Sequence, residues 1–215
     1  MNIEDTEAKR RFIVAFFDSL DDKIRFLERL VGQDRSEEAR LLCICYLDGL
    51  CNWLQQEPKS FSWNWTYGLT RFSDDVIFKL IVPISLRRSL PWKSVPPSAK
   101  SPIARALNSL KPKEALLPED FIRRIESLLS CDDLEWLQKE LWRGSIAAMV
   151  YTNVRGPNVH WLGSAHALIF PDIKFNSEPL PPIDLFTLCR CLANVATHAR
   201  SVSLRTNKWF GLTEL

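Results

Sequence analysis

Residues 41–54 read LLCICYLDGLCNWL, and this stretch decides the fold class of the 215-residue chain. Written as a helix that ends before Pro58, it is apolar on almost every side, with Asp48 and the preceding Arg40 as the charged exceptions. A helix that is apolar all round is usually buried among other helices. The stretch therefore predicts a central helix in an all-α fold.

Helical spacing continues on both sides of this segment. Towards the amino terminus, Phe17, Leu20, Ile24, Leu27 and Val31 are spaced three and four residues apart, which predicts one helix over about residues 6–31. A last long helix is predicted to begin near residue 183, with its apolar side formed by Leu185, Leu188, Leu192, Val195, Ala199 and Val202. Both helices would cover the central one.

Shorter helices are predicted in the middle of the chain. One follows Ser73 through DDVIFKLIVPISLRR, residues 74–88, and is kinked or broken at Pro83. Another covers about residues 119–129, and a third runs from Ser130 towards Val154. The sequence has no internal repeat and no strand–helix–strand alternation. We therefore expect one domain over residues 1–215, a helical bundle with proline-rich loops.

One short segment has a different period. Phe61, Trp63, Trp65 and Tyr67 alternate with polar residues, which predicts an extended flap closing over the helical core. Aromatic rings presented in this way can also stack on single-stranded bases.

Composition excludes several classes of protein. The formal charge is +2, and the longest stretch without Lys, Arg, Asp or Glu is the 16 residues 156–171, short of the ~20 that a membrane-spanning helix needs. The amino terminus opens with acids and has no apolar signal segment. These features predict a folded cytoplasmic protein that has no contact with a membrane.

The charges are unevenly distributed along the chain. Residues 1–57 contain 12 acids and 8 bases, whereas residues 87–113 contain seven bases and no acid. Five prolines in the second segment predict an extended basic loop over about 87–113. Such a loop is either a mobile connector or an arm that contacts RNA phosphates, and its candidate RNA-binding residues are Arg87, Arg88, Lys93, Lys100 and Arg105.

Metal chemistry has no support in the sequence. The six cysteines lack a C-x-x-C pair, and we interpret them as small core residues. The three histidines form no zinc motif, so neither a metal nor another cofactor is expected. Of these histidines, we expect His198 to lie on the surface of the last helix and His166 to lie in the core.

The remaining chemistry lies in residues 149–161, MVYTNVRGPNVHW, where four residues separate Arg155 from His160. Pro157 favours a helix start at that point, and free N–H groups at a helix start bind phosphate. Arg155 can hold phosphate oxygens with two parallel hydrogen bonds, and His160 can exchange a proton near neutral pH. Together they are the parts that metal-free RNA cleavage requires.

This motif and the central helix resemble the HEPN superfamily, whose ribonuclease members carry arginine, four to six residues, and then histidine. The resemblance covers about 25 residues and implies an all-α endoribonuclease that cuts single-stranded RNA as a homodimer, in a bacterial toxin–antitoxin or antiphage defence system. It assigns general acid/base catalysis to His160 and phosphate binding to Arg155, and Asn158 is the candidate for an orienting group. An antitoxin or another defence protein is the implied partner.

Two alternatives remain open. Active HEPN members usually carry a polar residue after the arginine, whereas this chain has Gly156, which favours a non-catalytic module that binds RNA or protein. The small net charge is also compatible with a helical adaptor that binds no nucleic acid.

Overall fold

The computed structural model describes residues 3–54, 59–155, 170 and 172–208, with the backbone alone at 3–5 and 154–155. About 75% of this part of the chain is helical, which confirms the all-α prediction. Its nine α-helices are α1 (Ile3–Gly32), α2 (Ser36–Trp53), α3 (Phe61–Phe72), α4 (Pro83–Ser89), α5 (Pro97–Ser109), α6 (Pro118–Ile125), α7 (Cys131–Glu140), α8 (Ile146–Val150) and α9 (Leu185–Thr206).

Shorter elements connect these helices. Val76–Lys79, Glu126–Leu128 and Leu141–Gly144 form 3₁₀ turns, and Tyr151–Arg155 forms a π-helical turn after α8. A small antiparallel hairpin pairs Lys174–Phe175 with Glu178–Pro179. No helix in the described ranges is long and apolar enough to cross a membrane.

The larger hydrophobic core is built around α2, as its all-round apolar sequence predicts. α1, α3 and α9 all contact α2, and Cys43, Ile44, Leu47 and Leu50 are at most 2% exposed. α9 begins at Leu185, where the Asp184 carboxylate accepts a hydrogen bond from the Thr187 backbone N–H, close to the predicted start.

A second core lies under α4, α5, α6 and α7. Leu86, Ile103, Phe121 and Leu137 are fully buried in it, one from each helix. Residues 80–82 connect the two cores, because Ile81 pairs with Leu116 while the Val82 N–H donates to the Gly144 carbonyl.

Two helical predictions need correction. The predicted helix from Ser130 to Val154 is divided at Ser145, whose hydroxyl caps α8 by accepting from the Ala148 N–H. The helix predicted over residues 74–88 is broken at Pro83 and not kinked there: its first part is only a 3₁₀ turn, and α4 begins separately at Pro83.

The extended flap predicted over residues 61–67 is wrong, because this segment is the first half of α3. Trp65 is fully buried, and Trp63 and Tyr67, one helical turn apart, stack with ring centroids 5.0 Å apart. The alternation of aromatic and polar residues therefore coincides with a helical i, i+4 pair.

Candidate nucleic-acid interface

The five cations predicted to bind RNA lie on two helices and the turn between them, so the prediction of an extended loop over 87–113 is wrong. Arg87 and Arg88 are in the last turn of α4, Lys93 is in the connecting turn, and Lys100 and Arg105 are on α5. All five are exposed.

The prolines begin these helices instead of preventing them. Pro83 and Pro97 each stand in a first turn, where the missing N–H has no helical partner in any case. The side chains of Leu86 and Ile103 are buried in the second core. The cations on the other side of both helices therefore face the solvent. Pro102 lies inside α5 and removes one helical hydrogen bond.

Three of the predicted cations come together at one cavity of about 720 Å³ between α4 and α5. Arg87, Arg88 and Lys100 line it together with Trp92. The Trp92 indole N–H donates to the Arg87 carbonyl over 2.9 Å, which holds the ring against the end of α4. Lys93 and Arg105 are not among the residues that line this cavity.

A second cavity of about 380 Å³ adjoins the first, since Arg88 and Ile84 line both. It extends to Trp142 and Arg143 and to two residues of the π-helical turn, Thr152 and Asn153. The two adjoining cavities are referred to below as the basic groove. Its remaining polar lining consists of serine hydroxyls from α3, α4 and α5: Ser62, Ser85, Ser89 and Ser101.

Close packing at Gly144 determines where α4 lies against this second cavity. A Cβ atom at Gly144 would be 2.5 Å from Leu86 Cβ and 3.0 Å from Leu86 Cα. Only glycine allows α4 to approach the 141–144 turn so closely, and Arg88 and Arg143 thereby line one cavity.

The cations of the groove differ in how they are held. Arg143 donates to the Glu140 carboxylate, and its guanidinium lies 4.6 Å above the Trp142 ring. Arg87 donates to the Asn108 side chain. The side chains of Arg88 and Lys100 have no hydrogen bond or ion pair with the described residues. Among the residues that the structure describes, no carboxylate lines either cavity.

The predicted catalytic residues are only partly covered by the structure. The backbone of Arg155 ends the π-helical turn that supplies Thr152 and Asn153 to the groove. Asn158, His160 and the helix start predicted near Pro157 lie outside the described residues, as does His166.

His198, which we expected on the surface, is half-buried and stacks on Phe72 with a centroid separation of 3.8 Å. Burial lowers its pKa, and the nearby Arg205 and Arg71 lower it further, against the opposing effect of Asp74. With Tyr67, Arg71, Phe72, Lys79 and Glu119, it lines a third cavity of about 700 Å³.

The interpretation of the cysteines as core residues is correct for some of them only. Cys43, Cys51 and Cys191 are buried, whereas Cys45 and Cys131 are exposed. A hydrogen bond between the Cys43 and Cys189 thiols raises the pKa of Cys43 and lowers that of Cys189. Across the described ranges, no three His, Cys, Asp or Glu side chains are grouped so as to hold a metal ion.

Sequence reasoning missed Trp92, Trp142 and Arg143. Trp92 had a signal, since it stands between Arg88 and Lys93 in the basic segment. Trp142 and Arg143 had none, because only the packing at Gly144 brings them to α4. Comparisons with protein-family models, curated proteins and solved structures find no match for this chain.

Proposed function

We propose that the chain binds single-stranded RNA along the basic groove and cuts it without a metal ion, using Arg155 and His160. The observation that carries the proposal is the course of the groove. It begins at the cations of α4 and α5 and reaches Thr152 and Asn153, two residues before Arg155. RNA held in the groove would therefore pass close to the predicted motif.

The composition of the groove suits a single strand. Exposed cations without internal partners attract a phosphate backbone, and the indoles of Trp92 and Trp142 offer faces on which bases stack. Serine hydroxyls and the Asn153 amide supply further hydrogen-bonding groups. A helical adaptor would have no need for cations collected in this way.

The chemistry follows from the two residue types. The Arg155 guanidinium would hold the scissile phosphate and stabilise the negative charge that develops on it. His160 would take a proton from the 2′-hydroxyl or give one to the leaving 5′-oxygen. One histidine supplies only one of these transfers, whereas a two-fold homodimer with both motifs near its axis supplies both. The products would be a cyclic phosphate and a 5′-hydroxyl.

The resemblance to HEPN ribonucleases extends this proposal to the biological setting. By that resemblance, the enzyme belongs to a toxin–antitoxin or antiphage defence system, acts in the cytoplasm and has a protein partner that controls it.

The test is to incubate the purified protein with single-stranded RNA in EDTA, comparing wild type, His160→Ala and Arg155→Lys. His160→Ala should lose roughly 10²–10⁴ in cleavage rate while keeping its RNA affinity. Arg155→Lys keeps the charge but loses the planar two-point contact, so it should not restore full activity. Arg123→Ala, which removes an exposed arginine of α6, is the matched control and should cleave like wild type.

Cleavage that persists unchanged in His160→Ala would exclude the proposed mechanism. If wild type and variants all bind RNA and none cuts it, the result would instead support a non-catalytic RNA-binding module. A thermal melt of His160→Ala distinguishes lost catalysis from lost folding, and light scattering that shows a monomer at micromolar concentration would contradict the composite site.

A further inference from the structure

The third cavity, here called the α3 pocket, contains a second set of cations and aromatic rings. Tyr67, Arg71 and Phe72 come from α3, Lys79 from the following 3₁₀ turn, Glu119 from α6 and His198 from α9. Its volume of about 700 Å³ is within the ~300–1,000 Å³ range of small-molecule sites.

One side of the α3 pocket is a fixed aromatic wall. The His198 and Phe72 rings are stacked with planes 17° apart, and Tyr67 meets Phe72 edge to face at 5.8 Å. Trp63 stacks on Tyr67 in turn, and Lys59 lies 4.2 Å above the Trp63 ring. These contacts hold the rings in one orientation before any ligand arrives, so little side-chain freedom is lost on binding.

The charged groups of the pocket have both signs. Arg71 and Lys79 are exposed cations, and Glu119 is an exposed carboxylate in the first turn of α6. None of the three has a hydrogen bond or ion pair with the described residues. A pocket that offers a planar wall, two free cations and one free carboxylate fits a ligand with an aromatic ring, an anionic group and N–H donors.

Nucleotides have all three features, and one base fits best. A carboxylate has two acceptor oxygens and no donor, and guanine presents its N1–H and N2–H groups side by side. Uracil presents a single ring N–H between two carbonyl oxygens, which a carboxylate repels. We propose that the α3 pocket binds a free guanosine monophosphate, with the phosphate on Arg71 and Lys79, the base N–H groups on Glu119 and the ring against the aromatic wall.

This proposal is independent of the proposed ribonuclease. Within the described part of the chain, Trp142 is the one residue that the pocket shares with the basic groove, and it forms a wall common to both. Variants of Arg71 or Glu119 therefore leave the cations of the groove unchanged, and variants of Arg88 leave the pocket unchanged.

The experiment is calorimetric titration of the full chain, in EDTA, with GMP, UMP, guanosine and inorganic phosphate. We expect saturable binding of GMP, at least tenfold weaker binding of UMP and guanosine, and weaker binding still of phosphate. Arg71→Ala and Lys79→Ala should each weaken GMP binding by roughly tenfold, since each removes a charged contact to phosphate. Glu119→Gln should remove the preference for guanine, so that GMP and UMP bind with similar affinity.

Two controls keep the outcome specific. Lys139→Ala removes an exposed cation of α7 and should bind GMP like wild type. Arg88→Ala should also bind GMP like wild type, and if it weakens binding more than Arg71→Ala does, the nucleotide lies in the groove and the proposal is wrong. Absent GMP binding, equal affinities for GMP and phosphate, or unchanged base preference in Glu119→Gln would each overturn it, provided that thermal melts show folded variants.

Discussion

Charged side chains are arranged differently on two surfaces of this protein. On the surface formed by α1 and α9, Arg200 bridges Asp18 and Asp21 at 2.9 and 3.2 Å, and Arg11 and Arg25 pair with acids within α1. On the surface formed by α4 and α5, Arg88, Lys93, Lys100 and Arg105 have no ion pair among the described residues. The first surface neutralises its charges internally, whereas the second presents them to the solvent.

This difference shows what the small net charge of the chain conceals. A formal charge of +2 is compatible with a surface on which several cations without ion pairs are collected along one groove. The cations of α4 and α5 repel one another in the free protein, and a phosphate backbone would relieve that repulsion. The paired charges of the α1–α9 surface do not repel one another in this way. Charge reversal should therefore change the RNA affinity on the α4–α5 surface and have little effect on the α1–α9 surface.

The largest effect is expected from reversing charge in the groove. Arg88→Glu combined with Lys100→Glu should lower the affinity for single-stranded RNA on the order of a hundredfold at moderate salt. The slope of log affinity against log salt should also become shallower by about 1.4, because two phosphate contacts are lost and each contributes about 0.7 on a single strand. Fluorescence anisotropy with a labelled oligonucleotide at several salt concentrations measures both quantities.

The matched control is Arg11→Glu with Arg25→Glu, two exposed arginines of α1 that are already paired with acids. Its affinity should remain within about threefold of wild type, since those charges lie on the other surface. If both double variants lose affinity equally, the attraction depends on total charge and the distinction between the surfaces disappears.

A smaller effect is expected from removing an aromatic ring at the groove. Trp92→Ala should lower RNA affinity by about tenfold, within the ~1–3 kcal/mol range of base stacking, and should leave the salt slope unchanged. Trp92→Phe retains a ring and should recover part of the affinity. Because Trp92 also packs against the second core, a melt must show that Trp92→Ala is folded. A changed salt slope would mean that Trp92 acts by positioning Arg87.

Breaking the Arg200 ion pairs on the α1–α9 surface should lower the stability of the fold and leave the RNA affinity unchanged. Asp18→Asn with Asp21→Asn leaves Arg200 unpaired and should lower the free energy of unfolding by about 0.5–1 kcal/mol, as expected for a largely exposed pair. RNA affinity should not decrease. Glu135→Gln, which breaks an exposed within-helix pair of α7, should lower the free energy of unfolding by less than that. Denaturant titration measures both, and a fall in RNA affinity would extend the binding surface to α1.

The long helices could be predicted because burial alone determines their pattern. α1, α2 and α9 pack lengthwise in one core, so the spacing of residues such as Leu20, Leu27 and Leu188 is visible in the sequence. α5 could not be predicted in this way, because it begins with a proline that also signals a loop, and α4 was predicted only as the end of a longer helix that Pro83 kinks or breaks. Helix formation there depends on the second core, which forms from segments distant in the chain.

The candidate site could also be predicted only in part: its cations could, but not the residues that they meet. Arg87, Arg88 and Lys100 were recognised from a local excess of bases, and three of the five predicted cations line the groove. That they meet Trp142 and Arg143 depends on the close approach at Gly144, which no local pattern encodes. The catalytic assignment of Arg155 and His160 stays a prediction.

The smallest expected effect concerns His198, which lies on α9 two residues before Arg200. Arg200 pairs with acids, whereas His198 lies near cations. Burial lowers the pKa of His198 most, Arg205 and Arg71 lower it further, and Asp74 opposes them. As the pH falls through the pKa of an unfolded histidine, about 6.5, the unfolded chain takes up a proton before the folded one. The stabilisation is therefore fully present above that pH and is lost as the pH falls towards the lower pKa of the folded state.

His198→Gln removes the titrating group and should make the melting temperature less dependent on pH between about 7.5 and 5.5. Wild type should lose more stability than the variant over this interval, by a small margin because the imidazole is only half-buried. Arg205→Gln, which removes one of the two cations, should give an intermediate dependence. A variant that loses as much stability as wild type would show that His198 is as free of the neighbouring charges as an exposed histidine.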